Sequence, residues 1–427
     1  MARSKSNTRP PKRSSSTSRP NAQAKPAASN PISAAAFDAA LDSLGVAPPF
    51  AVAVSGGADS LALLRLTAAW CKKRKLRAPL ALTVDHGLRP ESADEAAQVA
   101  AWARACGVPH ETLTWTGTKP RQNIQAAARE ARYRLLAERC REKGIAVVVT
   151  GHTLDDQAET FLLRLARGSG LDGLSGMAPV ASFPLPEFRD LKIARPLLPF
   201  GHAELTATLI HLKQPWITDP SNANDRFARV QVRKARSTLE AAGLTADRIA
   251  ATTHHLRRAR EAIDAAVAQL IATAVDVAPW GYALIATERF ATAPREVVLR
   301  ALAKLLQVHG GADFPPRFDQ TEALVDWLVT SDAKPAGRTL GGVRLARRDR
   351  KTILLTREEA ALAKDDPKTV IEPGTSQLWD RRFLITLPRT ARAPVEAAKL
   401  GPAGLKAVGA KAALPAVEPR RIAAALP

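Results

Sequence analysis

Six consecutive residues, Ser55, Gly56, Gly57, Ala58, Asp59 and Ser60, have the types and spacing to hold a chain of phosphates. Without Cβ atoms at Gly56 and Gly57 the backbone can adopt strained dihedrals, so its N–H groups can converge on an anion. The positive end of a helix starting there adds to that attraction. The loop lacks the Gly-Lys-Ser/Thr ending of a Walker A loop and the glycine spacing of a dinucleotide fingerprint, which removes those two readings. A second group lies further on, where His152, Asp155, Asp156 and Glu159 follow Gly151. Asp156 and Glu159 are three apart at a helix start and project from one face of its first turn. The same spacing is also a capping-box-like arrangement that steadies a helix by itself, and both roles can coexist. Two carboxylates beside a phosphate loop would repel a nucleotide unless a Mg²⁺ or a substrate ammonium sits between them, so they are read as cation or amine binders. Asp85 and His86 form a third group, whose bland alternative is a turn in which the Asp bonds its own backbone.

These groups need a scaffold that brings them together. Apolar stretches at 50–54, 80–85, 112–115 and 146–150 alternate with helical patterns near 60–76, 92–106 and 123–143. Strands alternating with helices of this length indicate βαβ units, hence a doubly wound parallel sheet with helices on both faces. Ligands on such sheets sit at the carboxyl ends of the strands, which is where all three polar groups fall. Arg129 and Arg132 share a face of the third helix, with Tyr133 able to stack or to fill core. Arg167, with four glycines before Met177, reads as a flexible basic loop able to close over a ligand, although a helix C-cap explains Gly168. Arg195, Pro196, Leu197, Leu198 and Pro199 read as a rigid extended connection. Asp219 to Asn222 form a turn that starts a helix carrying Arg226, Arg229, Arg233 and Lys234, with 226, 229 and 233 on the face that suits a nucleic-acid backbone.

The expected domains are a disordered basic arm over 1–32, an α/β domain over 33–218, a helical nucleic-acid-binding domain over 219–330, and a C-terminal region with strands over 331–427. The arm carries Arg3, Lys5, Arg9, Lys12, Arg13, Arg19 and Lys25 with no acid, and cannot bury enough surface to order itself. The last forty residues are rich in Ala and Pro and end on an apolar stretch, as a compact and incomplete final domain would. Lys and Arg number 62 against 41 Asp and Glu, a net charge of +21 that favours a polyanionic partner, nucleic acid before membrane. There is no run of 18 apolar residues, so no membrane span is expected. Cys71, Cys106 and Cys140 lie far apart with no Cys-x-x-Cys, which argues for a reducing cytoplasm and against a disulfide framework, a zinc knuckle or a cysteine-held iron–sulfur cluster.

The pattern of Ser55, Gly56, Gly57, Asp59 and Ser60 resembles the pyrophosphate-binding loop of the N-type ATP pyrophosphatases, the PP-loop family. Asp85-His86 with Leu88 and Arg89, Arg129 with Arg132 and Tyr133, Gly151-His152 with Asp155, Asp156, Glu159 and Thr160, Arg167 to Gly170, Arg195 to Leu198, and Asp219 to Asn222 with Arg229 and Arg233 narrow it. Together they are similar to the bacterial tRNA(Ile)-lysidine synthetases within that family, firmly over about residues 45–240. The resemblance implies ATP and Mg²⁺ as cofactors, and free L-lysine and tRNA(Ile) with a CAU anticodon as partners. The implied reaction adenylates the C2 carbonyl oxygen of the wobble cytidine at position 34, after which the lysine ε-amine displaces AMP. Residues 55–60 would then bind the ATP phosphates, with Asp59 directed to Mg²⁺. Asp156 and Glu159 would hold lysine or the metal, while Asp85, His86, His152 and Asp155 would line the crevice. Arg129, Arg132, Arg167, Arg229 and Arg233 would contact tRNA. The competing readings are a tRNA thiolase of the same fold, which would use a reactive cysteine or Cys-x-x-Cys pairs, and a non-catalytic RNA-binding module with a relic nucleotide loop.

Overall fold

The computed structural model describes residues 29–120, 122–218, 228–279, 281–330, 337–365 and 368–398. The arm up to residue 28, the turn at 219–222 with Arg226, and the final segment from 399 lie outside the described residues. The chain divides into two compact units, 1–257 and 258–427.

In the first unit the elements run α1 (Ala34–Asp42), β1 (Ala51–Ala53), α2 (Ala58–Lys73), β2 (Leu80–Asp85), α3 (Ser92–Ala105), β3 (His110–Thr114), α4 (Ile124–Glu142), β4 (Val147–Val149) and α5 (Leu154–Leu165). They continue through α6 (Leu171–Leu174), β5 (Val180–Ser182), β6 (Lys192–Ala194), α7 (His202–His211) and α8 (Ala228–Ala241) into α9 (Ala246–Ala274). One sheet has the order β3-β2-β1-β4-β6-β5, parallel except for β5, which pairs antiparallel with β6. The central strands are apolar on both sides because both faces are covered. Val52, Val54 and Val149 pack with Leu61, Leu64, Val99 and Leu205 on one face, while Ala51, Leu82 and Val148 pack with Leu136, Cys140 and Ile193 on the other. From β1 the chain winds outward to β2 and β3, then returns to place β4 on the other side of β1. The ends of β1 and β4 therefore flank the switch point where open α/β sheets bind ligands.

Three local expectations are corrected. The capping box at the start of α5 is formed by Thr153 with Asp156, not by Asp156 with Glu159, because Thr153 is the extended residue that precedes the helix. The basic glycine segment is not an open loop: it contains α6, and Gln157 brackets Met177 by bonding both its N–H (2.7 Å) and its carbonyl (3.0 Å). Arg195 to Pro199 is a turn rather than an extended connection, with Leu197 and Leu198 buried and the Phe200 N–H on the Leu197 carbonyl. Proline fixes φ at a value that turns as well as extended chain accept.

The second unit continues from the C-terminal part of α9 through β7 (Val275–Val277), β8 (Ala283–Ala286), α10 (Thr287–Thr292), α11 (Arg295–Gly310) and α12 (Phe318–Val329). Then follow β9 (Arg338–Leu340), β10 (Val343–Arg347), β11 (Thr352–Arg357), α13 (Glu359–Asp365), β12 (Thr369–Ile371), β13 (Ser376–Trp379), β14 (Phe383–Thr386) and β15 (Val395–Ala397). A five-stranded sheet of order β7-β8-β11-β10-β9 joins segments on both sides of residue 330, so the expected separation there does not follow the fold. The two strands of this sheet that precede residue 330, which the sequence reading missed, are only three and four residues long, too short for periodicity to reveal between long helices.

Candidate active site

The loop after β1 has the form its glycines require. Gly56 sits at φ +86, and a Cβ there would come within 2.8 Å of Ile217 Cδ1 and 3.0 Å of Val99 Cγ2. Its carbonyl also accepts the Ile217 N–H at 2.9 Å, so the loop is clasped from the far end of the domain. Gly57 is the N-cap of α2 with no side-chain cap, which leaves the first N–H groups of that helix to an incoming anion. Ser60 braces the loop from within: its hydroxyl donates to the Gly57 carbonyl (3.0 Å) and accepts the Ser55 N–H (3.1 Å). Asp59 stands in the first turn of α2, its carboxylate partly exposed.

The end of β4 lies against this loop. A Cβ on Gly151 would meet the Asp59 carbonyl group and Ser60 Cα at 3.2 Å, so the two segments approach more closely than a side chain permits. From Gly151 the chain enters α5. Asp156 spends one oxygen on the Thr153 N–H (3.0 Å), and Asp155 takes the His202 N–H (2.6 Å) and the Arg236 guanidinium (2.5 Å). Glu159 is buried and holds Arg233 of α8 through both oxygens, at 2.5 and 3.3 Å. Burial pushes the Glu159 carboxyl up, and the Arg233 contact pulls it only partly back. Arg233 is held above its ordinary range first by its hydrogen bond to Glu159, then by the charges of Glu159, Asp156 and Asp59. The charges of all three acids that the sequence singled out raise this one guanidinium, and His202 links the two segments directly, its N–H on Asp155 and its ring on Asp59. Between α5, α8 and the start of α9 lies a partly open cavity of about 40 Å³, with Asp155, Glu159, Arg233 and Arg236 among apolar Ala158, Leu162, Val232, Leu239 and Ile249.

The remaining residues fall around this centre. Asp85 bonds the Gly87 N–H at 2.8 Å, so the bland turn is present. His86 receives Arg132 on Nε2 (3.3 Å), stacks edge-on against Trp115, and has a buried Nδ1 without a partner. Burial and Arg132 push it down to about 4. His152 is likewise pushed down to about 4, chiefly by burial and then by Arg195, with Arg129 and Arg229 adding to it and Asp156 opposing. Both imidazoles are therefore neutral at pH 7. Arg129, whose guanidinium lies 5.0 Å over the buried Tyr133 ring, and Arg229 are exposed residues that act on His152, whereas Arg167 is exposed just beyond α5. The sequence reading missed His202, whose Nδ1 donates to Asp59 Oδ1 at 2.7 Å and whose pKa that carboxylate raises. A single histidine after a turn, 143 residues from its partner, carries no spacing signal.

Among the described residues no three His, Cys, Asp or Glu gather into a metal cage. A lone accessible carboxylate beside a phosphate loop suits Mg²⁺, which binds through one or two carboxylates plus phosphate oxygens and water. Cys71 and Cys140 are buried, and burial pushes them up to about 11 and about 12, so neither is a thiolate nucleophile. Cys106 is unpaired and half-buried, facing Arg65 at 3.5 Å. Among the described residues no helix is long and apolar enough to cross a membrane.

A glycine loop at the switch point of a parallel sheet, with the acid-bearing segment after the fourth strand packed against it, is the arrangement of a PP-loop protein, and residues 32–238 match the PP-loop domain model. Along the chain, identity is 43% over 306 residues to a tRNA(Ile)-lysidine synthase of Methylobacterium nodulans, covering 70% of this chain and 88% of that one. It is 37% over 340 residues to the tRNA(Ile)-lysidine synthase of Wolbachia pipientis, covering 79% and 76%. The chain therefore belongs to the tRNA(Ile)-lysidine synthase family. Among solved structures, a U34-tRNA thiolase from Methanococcus maripaludis overlays with a TM-score of 0.43 at 18% identity, over 54% of this chain and 77% of that one.

Proposed function

We propose that the chain ligates free L-lysine to C2 of the wobble cytidine of tRNA(Ile) bearing a CAU anticodon, consuming ATP and releasing AMP and pyrophosphate. The observation that carries this reading is the close packing of Gly151, which leads into α5 with Asp156 and Glu159, against Asp59 and Ser60 of the loop after β1, where a Cβ would lie 3.2 Å away. A phosphate loop and an amine-binding pair of acids then border one reaction space.

In the first step cytidine O2 attacks the α-phosphorus, and the bond to the pyrophosphate oxygen breaks. O2 is a weak nucleophile, so the protein's part is alignment and neutralisation of charge on the leaving group. The amides of Gly56, Gly57 and Ala58 hold the departing phosphates. Mg²⁺, held by Asp59, would supply further neutralisation of that charge. In the second step the lysine ε-ammonium first releases a proton to solvent; the free amine attacks C2, the C2–O bond to AMP breaks so that AMP leaves, and a further nitrogen proton passes to solvent. Asp156 and Glu159 would receive the ammonium when lysine enters, Glu159 exchanging part of its Arg233 contact for it, and the apolar residues lining the cavity beside Glu159 would take its methylene stem. Arg129, Arg132, Arg167 and Arg229 are the candidate tRNA contacts, with Arg233 shared between tRNA and Glu159.

The test is a reconstituted reaction with purified chain, ATP, Mg²⁺, labelled lysine and tRNA(Ile). Lysine incorporation with AMP release is expected, and Asp59→Ala abolishes it. Incorporation of a sulfur donor in place of lysine, without loss of rate, would overturn the reading in favour of a thiolase.

A further inference from the structure

His202 begins α7, immediately after the Arg195 to Pro199 turn, and three chain segments fix it. The Gly201 N–H is held by Glu204 Oε2 at 2.8 Å, and the His202 N–H by Asp155 Oδ2 at 2.6 Å. Asp155 is itself tied to Arg236 of α8, and its carboxylate is only 15% exposed, so the backbone under the imidazole is anchored on both sides. The ring then reaches across the cleft and donates through Nδ1 to Asp59 Oδ1 at 2.7 Å. Asp59 has no other hydrogen-bond partner described for its carboxylate, and at 30% exposure it would otherwise sample several rotamers.

We propose that His202 is a positioning residue for the nucleotide step: its Nδ1–H holds one oxygen of Asp59 so that the other is presented to the divalent cation that accompanies ATP. The assignment rests on the reading of residues 55–60 as an ATP·Mg²⁺ site. It adds a residue from the β6–α7 turn to a site otherwise built from the ends of β1 and β4.

The experiment compares the full-length chain with His202→Ala and His202→Asn. Nucleotide binding is measured by calorimetry with and without Mg²⁺, together with KM for ATP and for lysine in tRNA-dependent pyrophosphate release and the thermal midpoint of each variant. A hydrogen bond to a charged group is worth about 1.5–3 kcal/mol, or roughly tenfold or more in an equilibrium. His202→Ala is expected to weaken ATP binding about tenfold in the presence of Mg²⁺ and to raise KM for ATP similarly. ATP binding without Mg²⁺ and KM for lysine stay within about twofold. Asparagine keeps a side-chain N–H at a similar reach, so His202→Asn recovers most of the loss. Equal losses with and without Mg²⁺, an unchanged KM for ATP in His202→Ala, or an Asn variant no better than Ala would overturn the assignment while leaving the ATP site intact. A wild-type chain that binds no ATP·Mg²⁺ overturns both.

Discussion

At the scale of single residues, two adjacent glycines make opposite demands. Gly56 needs φ +86 and has no room for a methyl group, whereas Gly57 sits at φ −70 with only Ser55 Oγ, at 3.7 Å, facing the place of a Cβ. Gly56→Ala should therefore destabilise the fold by about 1–3 kcal/mol, read as a lower denaturation midpoint. Gly57→Ala should leave that midpoint within about 0.5 kcal/mol yet weaken ATP binding, because on the proposed function the methyl group would stand where the phosphates approach. His152 gives a pH signature. Its folded pKa of about 4 lies below the unfolded value of about 6.5, so above pH 6.5 the histidine is neutral in both states and its full contribution to stability is present. As pH falls from 6.5 towards 4 the unfolded chain takes up a proton that the folded chain refuses, and stability is lost. Between about pH 7.5 and pH 5 wild type should lose about 1–2 kcal/mol more than His152→Gln in urea titrations. His86, also lowered to about 4, keeps a residual slope of the same sign in that variant.

At the scale of elements, the seat of Glu159 depends on α8 packing over α5. Removing Arg233 strands a buried carboxylate. The guanidinium is 47% exposed, so the loss is well below the full penalty for a deeply buried pair, and Arg233→Ala should cost about 1–3 kcal/mol in urea unfolding. Glu159→Gln in the same background should return at least half of it, since the amide can stay buried uncharged; a double-mutant cycle with no coupling would refute the pairing. This contact also marks the limit of what the sequence discloses. The loop after β1 and the start of α5 are written in neighbouring residues, through one glycine pair and an apolar periodicity, and both stand where pattern reasoning puts them, although the cap of α5 is Thr153 rather than the Asp156–Glu159 pair. The contacts of Glu159 with Arg233 and of Asp59 with His202 span 74 and 143 residues. Nothing local distinguishes those partners from surface arginines and histidines, because the tertiary fold alone brings them within reach.

At the scale of the whole molecule, legibility falls from the first unit to the second. The βαβ alternation of the first unit repeats one pattern with long, well-separated periods, while the second builds its sheet from strands of three to six residues drawn from both sides of three helices. What the sequence does state is charge, +21 in all, with seven basic residues and no acid before residue 32. A polyanion bound by such a chain releases counterions, so its affinity falls linearly with the logarithm of salt, with a slope of roughly 0.7–0.9 per phosphate neutralised. Arg229 is exposed, lies one helical turn from Arg233, and its charge helps to lower the pKa of His152. On the proposed function its guanidinium would meet a tRNA phosphate. Arg229→Ala should weaken tRNA binding and lower the salt slope by about one, leaving KM for ATP unchanged. Deleting residues 1–28 should lower the slope by several units, in keeping with the basic residues removed, while kcat at saturating tRNA stays at the wild-type value. Filter-binding titrations across a salt series separate the two effects, and an unchanged slope after the deletion would make the arm a solvated tail with no part in RNA binding.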